Sequence, residues 1–341
     1  MGLLVRELGE FGLIERLQAI VWRSDARLLV NIGDDAAVVR YDRPVVMTTD
    51  ALVEGIHFRD DLIDPVSLGY KSLVASLSDI AAMGGRPLHT LVALALPFEE
   101  RVERIEAIYR GLAEACTQYD VSIVGGDVVS TAGPLVITVT VTGELLGAKP
   151  LLRSGAQVGD VVFVTGDVGG AAAYLHLKTS SEALRVSESD EWLLQQRHQR
   201  PVPQITAGSI LAQYEGCTSA NDVSDGLSSE LHEIAAASGV QLLIDSERLP
   251  TLPAVRHYAR LARVNPLDFA LFGGEDYQLV GTLDRMAVGT FLPLMQAQGV
   301  RVSLIGQVKR GNAGVYLQTP TGIHQLPKKG YDHFAARDER T

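Results

Sequence analysis

The sequence predicts an α/β fold divided into two domains, and three observations support this prediction. The chain has 341 residues, which exceeds the usual size of a single hydrophobic core. Segments with helical periodicity alternate with β-branched apolar runs as far as about residue 146. A stretch rich in glycine and proline at 147–160 then precedes a second series of such elements. We therefore expect an N-terminal domain at 1–146 and a C-terminal α/β domain at 147–341.

The elements of the N-terminal half follow from their local patterns. Residues 9–22 have helical periodicity, with one apolar face formed by Phe11, Ile14, Leu17, Ile20 and Val21. Residues 64–85 begin like a capped helix and stop at paired glycines, and 99–119 predict an amphipathic helix. Apolar and β-branched runs predict strands, at 45–49, 89–97, 121–127 and 134–146.

The C-terminal half shows the same alternation with three glycine-rich or acidic turns. Residues 160–175 predict a strand, a glycine turn and a helix, and 269–283 predict a turn that leads into a strand. Residues 221–239 predict a strand end, an acidic corner and a helix, although Asn221 departs from the apolar pattern of that strand. The polar segment 178–192 predicts an exposed excursion. The glycine turn at 166–171 either offers its N–H groups to a phosphate or simply packs a strand against a helix, and both readings stay open.

The composition suits a globular protein and argues against several classes of partner. Apolar residues make up 46% of the chain and charged residues 21%, and no apolar run is long enough to cross a bilayer. The N-terminal segment has neither the layout of a secretory signal nor a myristoylation motif. The two cysteines, Cys116 and Cys217, lack the spacing of a zinc cluster or a disulfide framework, so we expect a cytoplasmic location. A net charge of −11 argues against nucleic acid as the main partner.

Acidic residues recur at corners of the predicted elements, most of them directly after an apolar strand. Carboxylate and hydroxyl oxygens are ligands that suit Mg²⁺, whereas acids gathered in one pocket repel one another unless cations neutralise them. The residues alone leave open a shared magnesium site or six unrelated turns. Asp34 is better explained as a turn or cap residue, and Asp276 as a brace for its loop. The six corners are 33–35, 48–50, 78–79, 125–127, 222–226 and 274–276.

The common nucleotide-binding and hydrolase motifs are missing from the sequence. It contains no Walker loop, no protein-kinase catalytic loop with its metal-binding partner, no GxSxG elbow and no HExxH. A protein with this charge that handles phosphates would therefore need metal ions rather than a lysine-rich loop.

Together, these corners and their flanking segments resemble those of the thiamine-monophosphate kinases, a family within the aminoimidazole ribonucleotide synthetase superfamily of ATP-binding enzymes. The resemblance runs nearly end to end, and the order and spacing of the motifs are those of the family. The matching stretches are GEFGLIERL, IGDDAAVV, TTDALVEGIHF, YKSLVASLSDIAAMGGRP, IVGGD, RSGAQVGD, VSDGLSSEL, GGEDYQL and KGYDHF.

The resemblance implies that ATP phosphorylates thiamine monophosphate to thiamine diphosphate by direct in-line transfer, assisted by several Mg²⁺ ions and without a phosphoenzyme. No residue is expected to act catalytically beyond those that position metal and phosphates. The implied metal ligands are Asp35, Thr48, Thr49, Asp50, Asp79, Asp127, Asp222 and Asp225. The implied ATP-binding residues are Tyr109, Gly126, Asp127, Arg153 and Ser224, and the implied substrate-binding residues are His57, Glu275 and Tyr331.

The resemblance also implies a homodimer in which the N-terminal sheets pair into a shared β-barrel. The β-branched run Val136 to Val141 would lie near the interface, because pairing would cover an otherwise exposed edge strand of that composition.

Several alternatives remain beside this hypothesis. His57 could be a loop histidine, and Tyr331 could anchor the C-terminal segment. Selenophosphate synthetases and hydrogenase maturation relatives would need a terminal cysteine that this chain lacks, and aminoimidazole ribonucleotide synthetase matches the motifs less closely. A non-catalytic protein that senses or stores thiamine phosphates would not require so many metal ligands.

Overall fold

The computed structural model describes residues 2–32, 36–181, 184–331 and 333, which form two compact units. The first unit takes in the chain up to Pro150 together with Gln199–Tyr214, and the second takes in Leu151–His198 and the chain from Glu215 onward. The segment 199–214 falls in the C-terminal half of the sequence but packs within the first unit. A Cβ atom added to Gly208 would lie only 2.2 Å from the carbonyl oxygen of Ala81. The division of the chain into functional domains at 1–146 and 147–341 stays a prediction.

Helices and strands are numbered in chain order within the described residues. The helices are α1 (Val5–Leu8), α2 (Glu10–Val21), α3 (Pro65–Ala82), α4 (Val102–Tyr119), α5 (Gly170–Thr179), α6 (Glu188–Gln199), α7 (Ile205–Gln213), α8 (Leu227–Ser238), α9 (Pro253–Ala262), α10 (Pro266–Phe272) and α11 (Val288–Ala297). The strands are β1 (Leu28–Val30), β2 (Val38–Val39), β3 (Val45–Val53), β4 (Gly85–Pro97), β5 (Ser122–Thr131), β6 (Val136–Leu145), β7 (Val161–Thr165), β8 (Cys217–Asp222), β9 (Gln241–Asp245), β10 (Leu279–Leu283), β11 (Val302–Lys309), β12 (Gly314–Thr319) and β13 (Gly322–Gln325).

The first unit is built on a four-stranded sheet in the order β3-β6-β4-β5. Strand β6 is antiparallel to both of its neighbours, and β4 and β5 are parallel. One face of the sheet is buried in a core that it shares with α3 and α4. The other face carries exposed apolar side chains, among them Met47, Leu91 and Val129.

The position of β6 corrects one premise of the sequence analysis. The run from Val136 to Val141 was expected to be an exposed edge strand, whereas β3 and β4 flank it and the edges of the sheet are β3 and β5. Strand order depends on which distant segments pair, and the local pattern of an apolar run carries no information about this.

The second unit is built on a seven-stranded sheet in the order β13-β12-β9-β11-β7-β10-β8. Strands β9 and β12 are parallel, and the other neighbouring pairs are antiparallel. Helices α8 and α10 contribute to its core. The mixed sheet places the carboxyl end of β8, and hence Asp222, beside the start of β10.

Two helices of the first unit show what local sequence patterns predict correctly and what they do not. Helix α3 begins as predicted, because the Asp64 carboxylate accepts hydrogen bonds from the N–H groups of Val66 and Ser67, each at 3.0 Å. Helix α2 is also present, but its buried residues are Leu13, Leu17 and Val21. Phe11, which we expected on the apolar face, is exposed because it lies off this i, i+4, i+8 stripe. Among the described residues, no helix is long and apolar enough to cross a membrane.

Candidate active site

Strand β3 and helix α3 bring three predicted metal ligands together, although the strand was expected to stop before Asp50 and instead continues to Val53. Alternate residues of a strand share a face, so Thr48 and Asp50 both point towards α3. The Thr48 hydroxyl donates a hydrogen bond of 2.6 Å to Asp79 on that helix, and the Ser76 hydroxyl donates one of 2.6 Å to Asp50. Ser76 and Asp79 lie about one helical turn apart. Each carboxylate of this corner therefore has a hydroxyl donor close to it.

Thr49 lies on the opposite face of the same strand. Its hydroxyl is 2.9 Å from the hydroxyl of Thr140 on β6, and it also donates to the carbonyl of Val139 at 3.3 Å. The structure thus does not bring the Thr49 side chain to Asp50. Asp35 lies outside the described residues.

Three predicted ATP-binding residues of the first unit line one cavity of about 80 Å³. Tyr109 is buried on α4, and burial raises the pKa of its hydroxyl. Gly126 and Asp127 come from β5, where a Cβ atom on Gly126 would lie 1.9 Å from the carbonyl oxygen of Val92. Only glycine fits that close approach of two strands. The remaining wall is mostly apolar, formed by Ile14, Leu17, Gln18, Val21, Ile32, Ile123, Gly125 and Val128.

Predicted residues of three different roles meet at the corner after β8 in the second unit. Asp222 is buried at the end of the strand, and the chain then turns into α8. The Ser224 carbonyl accepts a 2.7 Å hydrogen bond from the Glu275 N–H, and the Asp225 carbonyl accepts a 2.9 Å hydrogen bond from the Tyr331 N–H. Backbone hydrogen bonds therefore hold both predicted substrate-binding residues of this unit beside the predicted metal ligands.

Two glutamates that the sequence analysis did not single out complete this corner. Glu230 is buried on α8 and accepts a 3.4 Å hydrogen bond from the N–H of Asp225. Burial, together with the negative charges of Asp222, Glu233 and Asp225, raises the pKa of Glu230 to about 8. Carboxyl groups whose pKa is shifted by burial and by neighbouring charges are concentrated at functional sites. Glutamates at the first and second turns of a helix that follows an acidic corner were the available sequence signal.

Asn221 and Arg153 also belong to this corner. The Arg153 Nε donates to the Asn221 Oδ1 at 3.1 Å, and its Nη1 lies 2.9 Å from the Glu233 carboxylate. The Asn221 amide nitrogen donates to Glu230. The polar residue that departed from the apolar pattern of the strand is thus buried in β8 with partners on both sides.

His57, Glu275 and Tyr331 were predicted to contact the substrate. The His57 Nδ1 accepts a 3.0 Å hydrogen bond from the N–H of Val53, across the turn that follows β3. Glu275 has a positive φ of 67°, and its carboxylate lies 3.3 Å from the Nδ1 of His198. The Tyr331 side chain is exposed and packs edge-to-face against His333. Its backbone therefore anchors the C-terminal segment, while its ring remains accessible.

The glycine turn before α5 is already occupied by an internal carboxylate. Asp276 accepts a 2.7 Å hydrogen bond from the N–H of Gly169 and also binds the N–H groups of Gly170 and Ala171. Burial raises the pKa of Asp276 to about 7 in spite of these contacts. The structure therefore favours a packing turn over a phosphate site, and Asp276 does brace its loop.

The acidic side chains do not form a metal cage by themselves. Within the described ranges, no three or more His, Cys, Asp or Glu side chains are arranged to hold one metal ion.

Comparison with known proteins assigns the chain to a family. It matches the family models for AIR synthase related protein, N-terminal domain, over residues 33–145, and C-terminal domain, over residues 157–317. A thiamine-monophosphate kinase of Bacillus subtilis (strain 168) is 39% identical over 310 residues, which cover 89% of this chain and 93% of that protein. The chain belongs to the thiamine-monophosphate kinase family.

Solved structures of thiamine-monophosphate kinases share its fold. The enzyme from Stenotrophomonas maltophilia K279a superimposes with a TM-score of 0.81 at 35% identity, covering 91% of this chain and 96% of that one. A structure described as AaThiL complexed with AMPPCP and TMP gives a TM-score of 0.76 at 33% identity, covering 98% and 99%. The predicted family and the two-domain AIR synthase-related fold are confirmed. Membership of the thiamine-monophosphate kinases makes the chain an enzyme of the kinase class, while the roles of its individual site residues stay predictions.

Proposed function

We propose that this protein transfers the γ-phosphoryl group of ATP to thiamine monophosphate, giving thiamine diphosphate and ADP. The observation that carries the proposal is the corner after β8, where hydrogen bonds join Ser224 and Asp225 to Glu275 and Tyr331. A corner of this composition can hold a metal-bound nucleotide and a second phosphorylated ligand side by side. The family relative that holds AMPPCP and TMP together supports the same pair of ligands.

The donor set of both corners fits Mg²⁺. Mg²⁺ is usually held by one or two carboxylates together with phosphates and water, rather than by an all-protein cage. Pairs such as Asp50 with Asp79, and Asp222 with Asp225, meet that requirement, and the raised pKa of Glu230 indicates a surplus of negative charge beside the second pair. When bound, the ions neutralise charge between the two phosphorylated substrates.

The side chains of the chain then bind and orient the reactants. The acceptor phosphate is itself a nucleophile, so alignment and charge compensation supply the catalysis, and we propose direct in-line transfer. The proposed metal ligands are Asp35, Thr48, Thr49, Asp50, Asp79, Asp127, Asp222 and Asp225. Tyr109, Gly126, Asp127, Arg153 and Ser224 would bind ATP, and His57, Glu275 and Tyr331 would bind thiamine monophosphate.

We also propose that the protein is a cytoplasmic homodimer paired through its N-terminal sheets. The face of the sheet turned away from α3 carries Met47, 69% exposed, together with Leu91 and Val129. An apolar sheet face of this kind is expected to be covered by another surface. A molecular mass of one chain in light scattering at micromolar concentration would contradict this assembly.

The assay for the proposed activity is ADP release in the presence of ATP, Mg²⁺ and thiamine monophosphate, with free thiamine as the matched control acceptor. We expect turnover with the monophosphate, and little with free thiamine, which lacks the acceptor phosphate. Equal rates with both acceptors would contradict the proposed substrate. Tight binding of thiamine monophosphate without ADP release would instead support the alternative of a sensing or storage protein.

A further inference from the structure

One buried amide in the second unit joins a proposed ATP ligand to a glutamate of the acidic corner. Asn221 on β8 is only 3% exposed. Its Oδ1 accepts a hydrogen bond from Arg153, a proposed ligand of the ATP phosphates. Its Nδ2 donates to Glu230, which stands beside Asp222 and Asp225, and lies 3.5 Å from a carboxylate oxygen of Glu233.

Arg153 is held by contacts rather than by burial. Its side chain is 56% exposed, yet its Nε binds Asn221 and its Nη1 pairs with Glu233. Contacts on two different nitrogens fix the plane of a guanidinium group. An arginine that is ordered in this way loses less side-chain entropy when it binds a ligand.

The chemistry of the position explains why an amide suits it. The side chain must accept a hydrogen bond from a cation on one side and donate one to a carboxyl group on the other, and an amide does both without a charge. A carboxylate at 221 would add repulsion beside Glu230. An apolar side chain would leave buried polar atoms of Glu230, and the Nε of Arg153, without this partner, which is costly in a buried site.

We propose that Asn221 is a positioning residue, which orients Arg153 towards the nucleotide phosphates and ties that orientation to the acidic corner through Glu230. This inference rests on the proposed function, because it takes Arg153 as a ligand of ATP. It assigns Asn221 an effect on nucleotide binding and no direct effect on the acceptor substrate.

The test measures the affinity of the purified full-length protein for AMPPCP with Mg²⁺ by calorimetry. Asn221→Leu keeps the approximate volume and removes both hydrogen bonds, so Arg153 is no longer held for the ligand, and we expect its Kd for AMPPCP to rise by about 10-fold, which corresponds to about 1.4 kcal/mol. The KM for thiamine monophosphate should stay within about twofold of wild type. Ser219→Ala is the matched control, because Ser219 is buried in the same strand but binds Thr282, and its Kd should not change.

A double-mutant cycle separates positioning from a general structural effect. If Asn221 acts through Arg153, the change Asn221→Leu should cause little further loss of affinity in a chain that already carries Arg153→Ala. A full additional loss in that background would overturn the proposal. Should Asn221→Leu fail to fold, as judged by circular dichroism, Asn221→Ser is titrated in both backgrounds under the same criteria, because its shorter side chain cannot reach both partners.

The AMPPCP affinity of wild type distinguishes a failure of the proposed function from a failure of the role proposed for Asn221. Wild type that does not bind AMPPCP would remove the proposed function and this role with it. Wild type that binds AMPPCP, together with unchanged affinity in Asn221→Leu, would overturn the role of Asn221 alone.

Discussion

The two acidic corners of this protein differ in the groups that surround their carboxylates. Where β3 faces α3, Asp50 and Asp79 each accept a hydrogen bond of 2.6 Å from a neighbouring hydroxyl. At the end of β8, carboxyl groups crowd one another, and the pKa of Glu230 rises to about 8 because of burial and its acidic neighbours. The first corner supplies a hydroxyl donor to each of its two carboxylates, whereas the second places a buried carboxyl group among other acids.

The difference indicates which corner depends more on a bound cation for its stability. Carboxylates that accept hydrogen bonds from hydroxyl groups keep their hydrogen bonding satisfied when no metal ion is bound. Carboxyl groups that crowd in a buried site disfavour the ionised form and cost folding free energy until a cation neutralises them. We therefore expect substitutions in the first corner to affect turnover more than stability. Replacing a carboxyl group of the second corner by a neutral amide should raise the stability of the metal-free protein.

The largest effect is expected for Asp50→Asn. Asn keeps the size of the side chain and an oxygen that can accept from Ser76, but removes the charge proposed to hold Mg²⁺ between two anions. We expect kcat to fall by roughly 10²–10³-fold, the range found when one electrostatic stabiliser of a transition state is lost. ADP release with thiamine monophosphate measures this.

Melting curves of Asp50→Asn show whether that loss is one of metal binding. The metal-free variant should melt no lower than wild type, and Mg²⁺ with ATP should stabilise wild type more, since a ligand that binds only the folded state stabilises it by mass action. Asp61→Asn is the control, because Asp61 is an exposed acid paired with Arg59. A fully active Asp50→Asn enzyme that responds to Mg²⁺ like wild type would show that Asp50 is only a turn residue.

The next effect tests the crowding of the second corner. Glu230→Gln keeps the shape and the acceptor for Asn221 but cannot ionise, so the variant should unfold at a higher temperature than wild type in EDTA at pH 8. Each kcal/mol gained corresponds to about 2–4 °C for a protein unit of this size. Glu247→Gln, at an exposed acid of the same unit, should melt like wild type. A lower melting temperature for Glu230→Gln would contradict the crowding argument.

A pH dependence is expected from Asp276, whose pKa is raised from its ordinary value of 3.8 to about 7 by burial. Between these two values the folded state keeps a proton that the unfolded state has released. Stability from this group is therefore present at low pH and falls as the pH rises to about 7, by at most about 1.4 kcal/mol per pH unit. Asp276→Asn should flatten this slope.

Urea unfolding at several pH values from 4 to 8 measures the Asp276 contribution. The free energy of unfolding of Asp276→Asn minus that of wild type should become more positive up to about pH 7 and then level off. Asp268→Asn, at an exposed acid on α10, should leave the wild-type slope intact. A difference that stays constant across the range would show that Asp276 is ionised throughout.

The smallest effect is expected for Ser76→Ala, which removes the hydroxyl donor of Asp50. The free energy of unfolding should fall by about 1.5 kcal/mol, because the lost hydrogen bond is to a charged group. Ser72→Ala is a close control, because Ser72 is also buried on α3 but its hydroxyl donates to the neutral carbonyl of Gly69 within the helix, and it should therefore lose less stability. If both variants lose the same stability, the first corner is not stabilised by its hydroxyl donors.

Local patterns predicted the corners but not their environments. The helix capped by Asp64 and the strand that ends at Asp222 are visible in the sequence, because both depend on neighbours along the chain. Asp50 and Asp127 were also expected to follow strands, but β3 and β5 continue past them. The crowding at Glu230 depends on burial against β8 and could not be read from α8 alone. The interior position of β6 likewise depends on pairing with β4, some 50 residues away in the chain.

The same distinction explains the site residues. The resemblance gave Thr48, Thr49 and Asp50 one shared task, whereas the pleat of β3 separates Thr49 from the other two. The role of Asn221 was invisible because an amide within a strand has meaning only once its partners are known.

The pleat of β3 also limits how this segment can diverge among related proteins. One face of the strand presents Thr48 and Asp50 to α3, and the other presents Thr49 to β6. Inserting or deleting a single residue before Thr48 would exchange these faces. An acid would then lie on the face of the sheet that carries exposed apolar side chains, and a methionine could lie beside Asp79. A single substitution here changes one side chain and keeps the two faces of the strand, whereas a change of length exchanges them. Insertions that alter this protein while preserving its fold should therefore be confined to the loops outside Val45–Val53.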